Sequence, residues 1–127
     1  MEAEPVTGRA RALVGTRFRP QGRDAGHGLD CIGLVVAALA AEGVRRDYPL
    51  RSGDLPTLER ELEASGPERG DAWQAGDVLV MRPAPAQLHL GIWTGSSLVH
   101  ADAALRRVVE RPGAPPWTVM GCWRRRQ

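Results

Sequence analysis

The sequence predicts an α+β fold in which helices come first and an antiparallel sheet follows. Three observations carry this. GHGLDCIGLVVAALAAEGV, from Gly26 to Val44, opens on a glycine-rich turn and continues with apolar residues at helical spacing. From Trp73 onward the apolar period drops to two, and GDVLVM, HLGIW, SLVHA and WTVMGCW each alternate or run apolar like strands. Thr94-Gly95-Ser96 joins two of these runs, which is a hairpin signal.

In order along the chain, residues 6–14 carry an Arg-Ala-Arg-Ala-Leu-Val pattern that predicts a short first helix. The stretch from Gly15 to Gly28 is rich in glycine and reads as loop. It delivers the chain to Asp30, an N-cap residue type, and to Cys31 in the first turn of a helix. Leu34, Val35, Ala38, Leu39 and Ala41 form its apolar stripe, and Gly43 is the expected stop. RRDYPLRSGDLP reads as loop, and Pro56 to Ala64 as an amphipathic helix with Pro56 near its start and Gly66 beyond its end. Gly76–Met81 is the first clear strand, broken by RPAPAQ. His89–Trp93, Ser97–Ala101, Arg106–Glu110 and Trp117–Trp123 complete the sheet.

At 127 residues the chain is expected to form one domain, 1–127, with a single core. Its composition, 43% hydrophobic and 25% charged, is that of an ordinary globular protein. A net charge of +2 gives no basic surplus of the kind that draws nucleic acid, and no direct nucleic-acid binding is expected. Arg124, Arg125 and Arg126 read as a solvated tail. No stretch approaches the roughly 18 consecutive apolar residues of a membrane span. The start, MEAEPVTGRARALVG, is acidic and has no apolar h-region. The expectation is a protein made in the cytoplasm without a signal peptide, needing a carrier for work outside, with Cys31 and Cys122 both reduced.

The chemistry follows from Cys31. At a helix start, unpaired backbone N–H groups and the helix dipole favour the thiolate over the thiol, and the thiolate is the nucleophile. Such a cysteine needs an imidazole to take its proton and return it to a leaving amine, and that imidazole needs a polar group to fix its tautomer. His89 and His100 fall on the predicted hairpin. A turn centred on Gly95 and Ser96 pairs Gly91 with His100 and His89 with Asp102, so these four residues share one face. Gly91 is expected to leave room between the imidazoles, while Leu90, Ile92 and Val99 enter the core. A slip of one residue would reverse every side chain. Cys31 as nucleophile, His89 as base and His100 as orienter fill the three roles, with Asp102 as an alternative orienter. The backbone N–H of Cys31 is a natural donor to an oxyanion.

Blander readings stand beside these. A lone cysteine is often a buried small hydrophobe, and Cys122 reads that way. Asp30 reads as a cap rather than a second acid. His27, Cys31, His89 and His100 could in principle hold zinc, but the spacing is unlike that of structural zinc sites, and no metal or cofactor is expected. Trp73, Trp93, Trp117 and Trp123 could line a sugar cleft, yet tryptophans at strand positions usually fill cores.

LDCIGLV resembles the D-C-S-G-L-V motif of the NlpC and p-sixty family of papain-like cell-wall cysteine peptidases. HLGIWTGSSLVHA, GDVLVM and GTRFRPQG resemble, in the same order, three further segments of that family, and together they cover most of residues 15–123. The resemblance implies a papain-like fold with the nucleophile helix packed on the sheet, and assigns nucleophile, base and third polar residue to Cys31, His89 and His100. It implies hydrolysis of amide bonds in peptidoglycan stem peptides, commonly those involving D-glutamate and diaminopimelate, without a metal. GRDAGHGLDC and the short chain resemble the subset encoded with phage and gene-transfer-agent tails. In that subset the peptidase rides with tail-tip or baseplate hub proteins and opens the periplasmic wall of the target cell. Two residues of the expected substrate cleft depart from the pattern. Phe18 stands where many members have a tyrosine whose hydroxyl helps bind the oxyanion or substrate, and Ile32 stands where most have a serine of the amino-terminal subsite. The alternatives are an antibacterial amidase effector of a contractile secretion system, and a structural tail component with weak or no activity.

Overall fold

The computed structural model describes residues 3–20, 22–24, 26–40, 54–64 and 66–125. Among the described residues it is an α+β arrangement: three helices and, besides a two-stranded ribbon, a six-stranded antiparallel sheet. The helices are α1 (Ala3–Ala12), α2 (Cys31–Leu39) and α3 (Leu55–Ala64). The ribbon pairs β1 (Arg23–Asp24) with β2 (Gly28–Leu29). The sheet contains β3 (Glu68–Gly70), β4 (Val78–Ala84), β5 (Gln87–Trp93), β6 (Ser97–Asp102), β7 (Arg107–Pro112) and β8 (Thr118–Arg124), in the order β3-β8-β4-β5-β6-β7. No described helix is long and apolar enough to cross a membrane.

α1 begins earlier than its sequence pattern suggests and ends at Ala12, because Leu13 to Gly15 turn the chain and Gly15 adopts a φ of +94°. Its buried residues, Val6, Thr7 and Ala10, face the core. α2 starts as expected: the Asp30 carboxylate accepts the Gly33 N–H at 2.8 Å, the N-cap bond that satisfies one of the four orphan donors of the first turn. It stops before Gly43, because Ala40 takes the left-handed conformation and its N–H closes onto Ala37 at 3.2 Å. Arg9 of α1 donates to the Ala38 carbonyl at 2.7 Å, placing a cation at the negative end of α2. Ala41, Gly43 and most of the predicted loop after them lie outside the described residues. The end of that loop reading is corrected: Asp54 caps α3 through the Thr57 N–H, and Leu55 and Pro56 are already helical.

RPAPAQ is not a clean break. Arg82, Pro83 and Ala84 extend β4, and Gln87 already belongs to β5. The register shifts between Met81 and Ala84, where Pro83 has no N–H to give to a ladder. β3, an edge strand against β8, was not foreseen, since three exposed or half-buried polar and glycine residues carry no strand period.

The sheet has two distinct faces. Val78, Val80, Leu88, Leu90, Ile92, Val99, Ala101, Val108 and Trp123 pack with α1, α2 and α3 in the main core. Leu79, Met81, Leu98 and Cys122, with Trp93, Trp117 and Val119, form a smaller cluster on the other face. α2 packs against β5 and β6, so the hairpin that carries His89 and His100 is also the hairpin on which the Cys31 helix rests.

Candidate active site

The β5–β6 hairpin has the register the turn requires: Gly91 opposes His100, Ile92 opposes Val99 and Trp93 opposes Leu98. Thr94 holds the turn, its hydroxyl accepting the Ser97 N–H at 3.0 Å. With Leu88, Leu90 and Ile92 turned into the main core, alternation sends His89 and His100 to the other face. There Nε2 of His89 and Nδ1 of His100 are hydrogen-bonded at 3.0 Å, with the rings at 89° to each other. One nitrogen donates and the other accepts, so the bond fixes the tautomer of each neutral ring relative to the other and leaves Nδ1 of His89 for proton transfer.

Gly91 does not serve as open space between the rings, as the sequence suggested. A Cβ there would lie 2.7 Å from a methyl of Leu98, so the glycine makes room for the Leu98 side chain. The partner the sequence did not single out is Trp117, just before β8. Its indole meets both imidazoles edge-on, with centroids 5.4 Å away in each case and interplanar angles of 84° and 81°. It is not simply a core tryptophan: it is a wall against the histidine pair.

Burial, and then the neighbouring His100, push the pKa of His89 down to about 4, against a weaker opposing pull from Asp102. Burial also lowers that of His100, with Asp102 opposing and the cation of Arg111 adding to the drop. Both rings are therefore neutral at pH 7, the state in which His89 can accept a proton.

Solved structures share this fold. NlpC1 from Trichomonas vaginalis superposes with a TM-score of 0.69 at 19% identity, over 97% of this chain and 43% of that one. The NlpC/p60 domain of the peptidoglycan hydrolase SagA gives 0.62 at 20% identity, over 88% of this chain and 90% of that domain. The peptidoglycan hydrolase RipB from Mycobacterium tuberculosis gives 0.60 at 24% identity, over 98% of this chain and 64% of that one. The fold is that of an NlpC/p60 domain. This chain spans less than half the length of NlpC1. No protein-family model and no curated protein matches its sequence.

Within this NlpC/p60 fold, Cys31 is the first residue of α2 and is 5% exposed. The loop before it is tied down on both sides: the Phe18 N–H donates to the Arg106 carbonyl at 3.0 Å, and the Leu29 N–H to the Arg17 carbonyl at 2.9 Å. Phe18 rests against the main core and Ile32 is only 2% exposed within it, so the Ile32 side chain offers a ligand no surface. Asp102 uses one carboxylate oxygen to accept the Leu105 N–H at 2.9 Å, capping the β6–β7 turn, while His100 takes the direct bond to His89. His27 is exposed in the turn before β2, and among the described residues no group of three or more His, Cys, Asp or Glu side chains is arranged to hold a metal. Cys122 is buried, and burial followed by the Asp77 carboxylate pushes its thiol pKa up, which disfavours the reactive thiolate there. Arg124 is not part of a solvated tail: it pairs with Asp77 at 2.9 Å and donates to the Ala72 carbonyl at 2.6 Å.

Proposed function

We propose that this chain is a peptidoglycan amide hydrolase acting on stem peptides. The observation that carries the reading is the His89–His100 bond on the hairpin that supports the Cys31 helix, in a fold shared with SagA and RipB, both peptidoglycan hydrolases. In the reaction, the Cys31 thiol gives its proton to Nδ1 of His89 and its sulfur bonds to the amide carbonyl carbon. The oxyanion takes the Cys31 N–H at the start of α2. As the C–N bond breaks, His89 returns the proton to the leaving amine. Water, deprotonated by His89, then releases the acid from the thioester and restores the thiol. His100 holds His89 in the productive tautomer. Phe18 carries no hydroxyl, and loss of one such donor costs on the order of 10²-fold in rate, so the turnover expected of the free protein is slow. Delivery on a phage-like tail, docked to tail-tip or baseplate proteins, would supply the high local concentration at the wall that a slow enzyme needs.

The test is release of soluble muropeptides from purified sacculi by the wild type and by Cys31→Ala. New free amines from the wild type alone support the reading, and mass spectrometry of the products names the bond. Intact sacculi in both cases, at high protein concentration and mildly alkaline pH, would sink it and favour the structural tail component, the reading to which Phe18 already points.

A further inference from the structure

β7, an edge strand of the sheet, carries two arginines near the histidine pair, Arg107 and Arg111, and its register shows that both face it. Val109 opposes His100, Arg111 opposes Leu98 and Arg107 opposes Asp102. Val108 and Glu110 point to the helical face: Val108 is in the main core, and Glu110 accepts hydrogen bonds from Ser97 Oγ at 2.6 Å and from Arg11 of α1 at 3.2 Å. Alternation therefore places Arg107, Val109 and Arg111 on the face of His89, His100 and Trp117. Arg111 and Arg107 are the two diagonal neighbours of His100, with backbones about 7 Å from it, well within reach of an arginine side chain. Both are exposed, and neither has an ion-pair partner among the described residues. Beyond β7, Arg17 forms an isolated bridge directly opposite Arg107, so two like charges face each other across a strand pair. That placement is unfavourable unless an anion lies between or beside them. Among the groups facing this row, Asp102 is the one carboxylate among the described residues, and one of its oxygens is committed to the Leu105 N–H.

We propose that Arg111, with Arg107 and Arg17 flanking it, is the carboxylate-binding wall of the cleft and recognises the free carboxylates of an acidic stem peptide. This rests on the stem-peptide reading above and names the chemical feature of the substrate that the site selects. Guanidinium groups suit the task, since they bind carboxylates in a planar, two-pronged geometry and stay charged at every working pH.

The experiment measures binding, which does not depend on turnover. The Cys31→Ala protein is titrated by calorimetry with the tetrapeptide L-Ala-D-Glu-diaminopimelate-D-Ala and with the same peptide carrying carboxamides in place of its side-chain and α-carboxylates. The expected result is a preference of about tenfold for the carboxylate form, the scale of a single charge-assisted hydrogen bond. Arg111→Ala abolishes the preference, Arg111→Lys retains part of it, and both variants keep the parent's melting temperature. Equal binding of the two peptides, binding of neither, or a preference untouched in the Arg107→Ala/Arg111→Ala double variant overturns the inference. Failure of the hydrolase reading looks different. A protein that prefers carboxylates and leaves sacculi intact retains this wall and loses the activity, whereas one that opens sacculi without any preference loses only the wall.

Discussion

His89 binds its proton far more weakly in the fold than an exposed histidine does, and this has a measurable effect on stability. Its pKa lies at about 4 in the folded protein, because burial and His100 disfavour the charged ring, against about 6.5 in an unfolded chain. The unfolded state therefore binds the extra proton first as the pH drops. Its contribution is complete above about pH 6.5 and is lost progressively as the pH falls toward 4. His100, shifted the same way, adds to the loss. Glu110, whose pKa is lowered by the Ser97 hydroxyl, acts only below the ordinary carboxylate range and so does not blur the window. Melting temperatures from pH 7.5 to 5 should fall for the wild type. They should fall less for His89→Gln, the difference being on the order of 2 kcal/mol after allowing for relaxation. Parallel curves for the two proteins would mean that the ring is solvated and is not held neutral.

At the scale of elements, the decisive contact is between the glycine loop and the first turn of α2. The carbonyl oxygen of Gly22 stands where a Cβ on Gly33 would have to go, and it also accepts the Asp30 N–H at 3.3 Å. A main-chain carbonyl in a tied loop cannot swing aside as a side chain can. Gly33→Ala should therefore cost about 3 kcal/mol, the upper end for forcing a methyl into a packed site, although alanine is the better helix former. Urea unfolding gives the cost, and the rate of Cys31 alkylation shows whether the loop has lifted off the thiol. An unchanged midpoint would mean that the loop does not brace the helix. This contact also shows what the sequence could and could not reveal. The Asp30 cap and the hairpin register were legible, because each is set by residues a few positions apart and by a strict period. Trp117 against the histidines, Arg111 beside His100 and the Gly22–Gly33 approach join distant parts of the chain. Nothing in local pattern distinguishes these tryptophan, arginine and glycine residues from others of their kind. Leu55 and Pro56 were divided between loop and helix in the sequence pattern, because the proline drew attention away from Asp54, the true cap.

Across the whole molecule, the sheet is closed off at one corner by a charge pair that composition hides. Asp77 opens β4, one side of which pairs with the hairpin strand β5 and the other with β8, and its side chain is 2% exposed. Its carboxylate accepts from Arg124 at the end of β8 and from the Gln74 N–H at 2.9 Å, while Arg124 reaches on to the Ala72 carbonyl. The two residues thus pin the 72–77 loop and the ends of both strands at once. Such a pair contributes little net stability over an apolar replacement, since desolvation offsets most of the attraction, but removing one partner strands a buried charge. Arg124→Leu should accordingly destabilise by about 3 kcal/mol. Adding Asp77→Asn, which removes the stranded charge and retains an acceptor for Gln74, should recover a substantial part of that loss. Denaturant midpoints of the two single variants and the double one decide it. A double variant as unstable as the sum of its parts would mean that the two residues act independently, and that the corner is held by the β4–β8 ladder and the Trp123 packing alone.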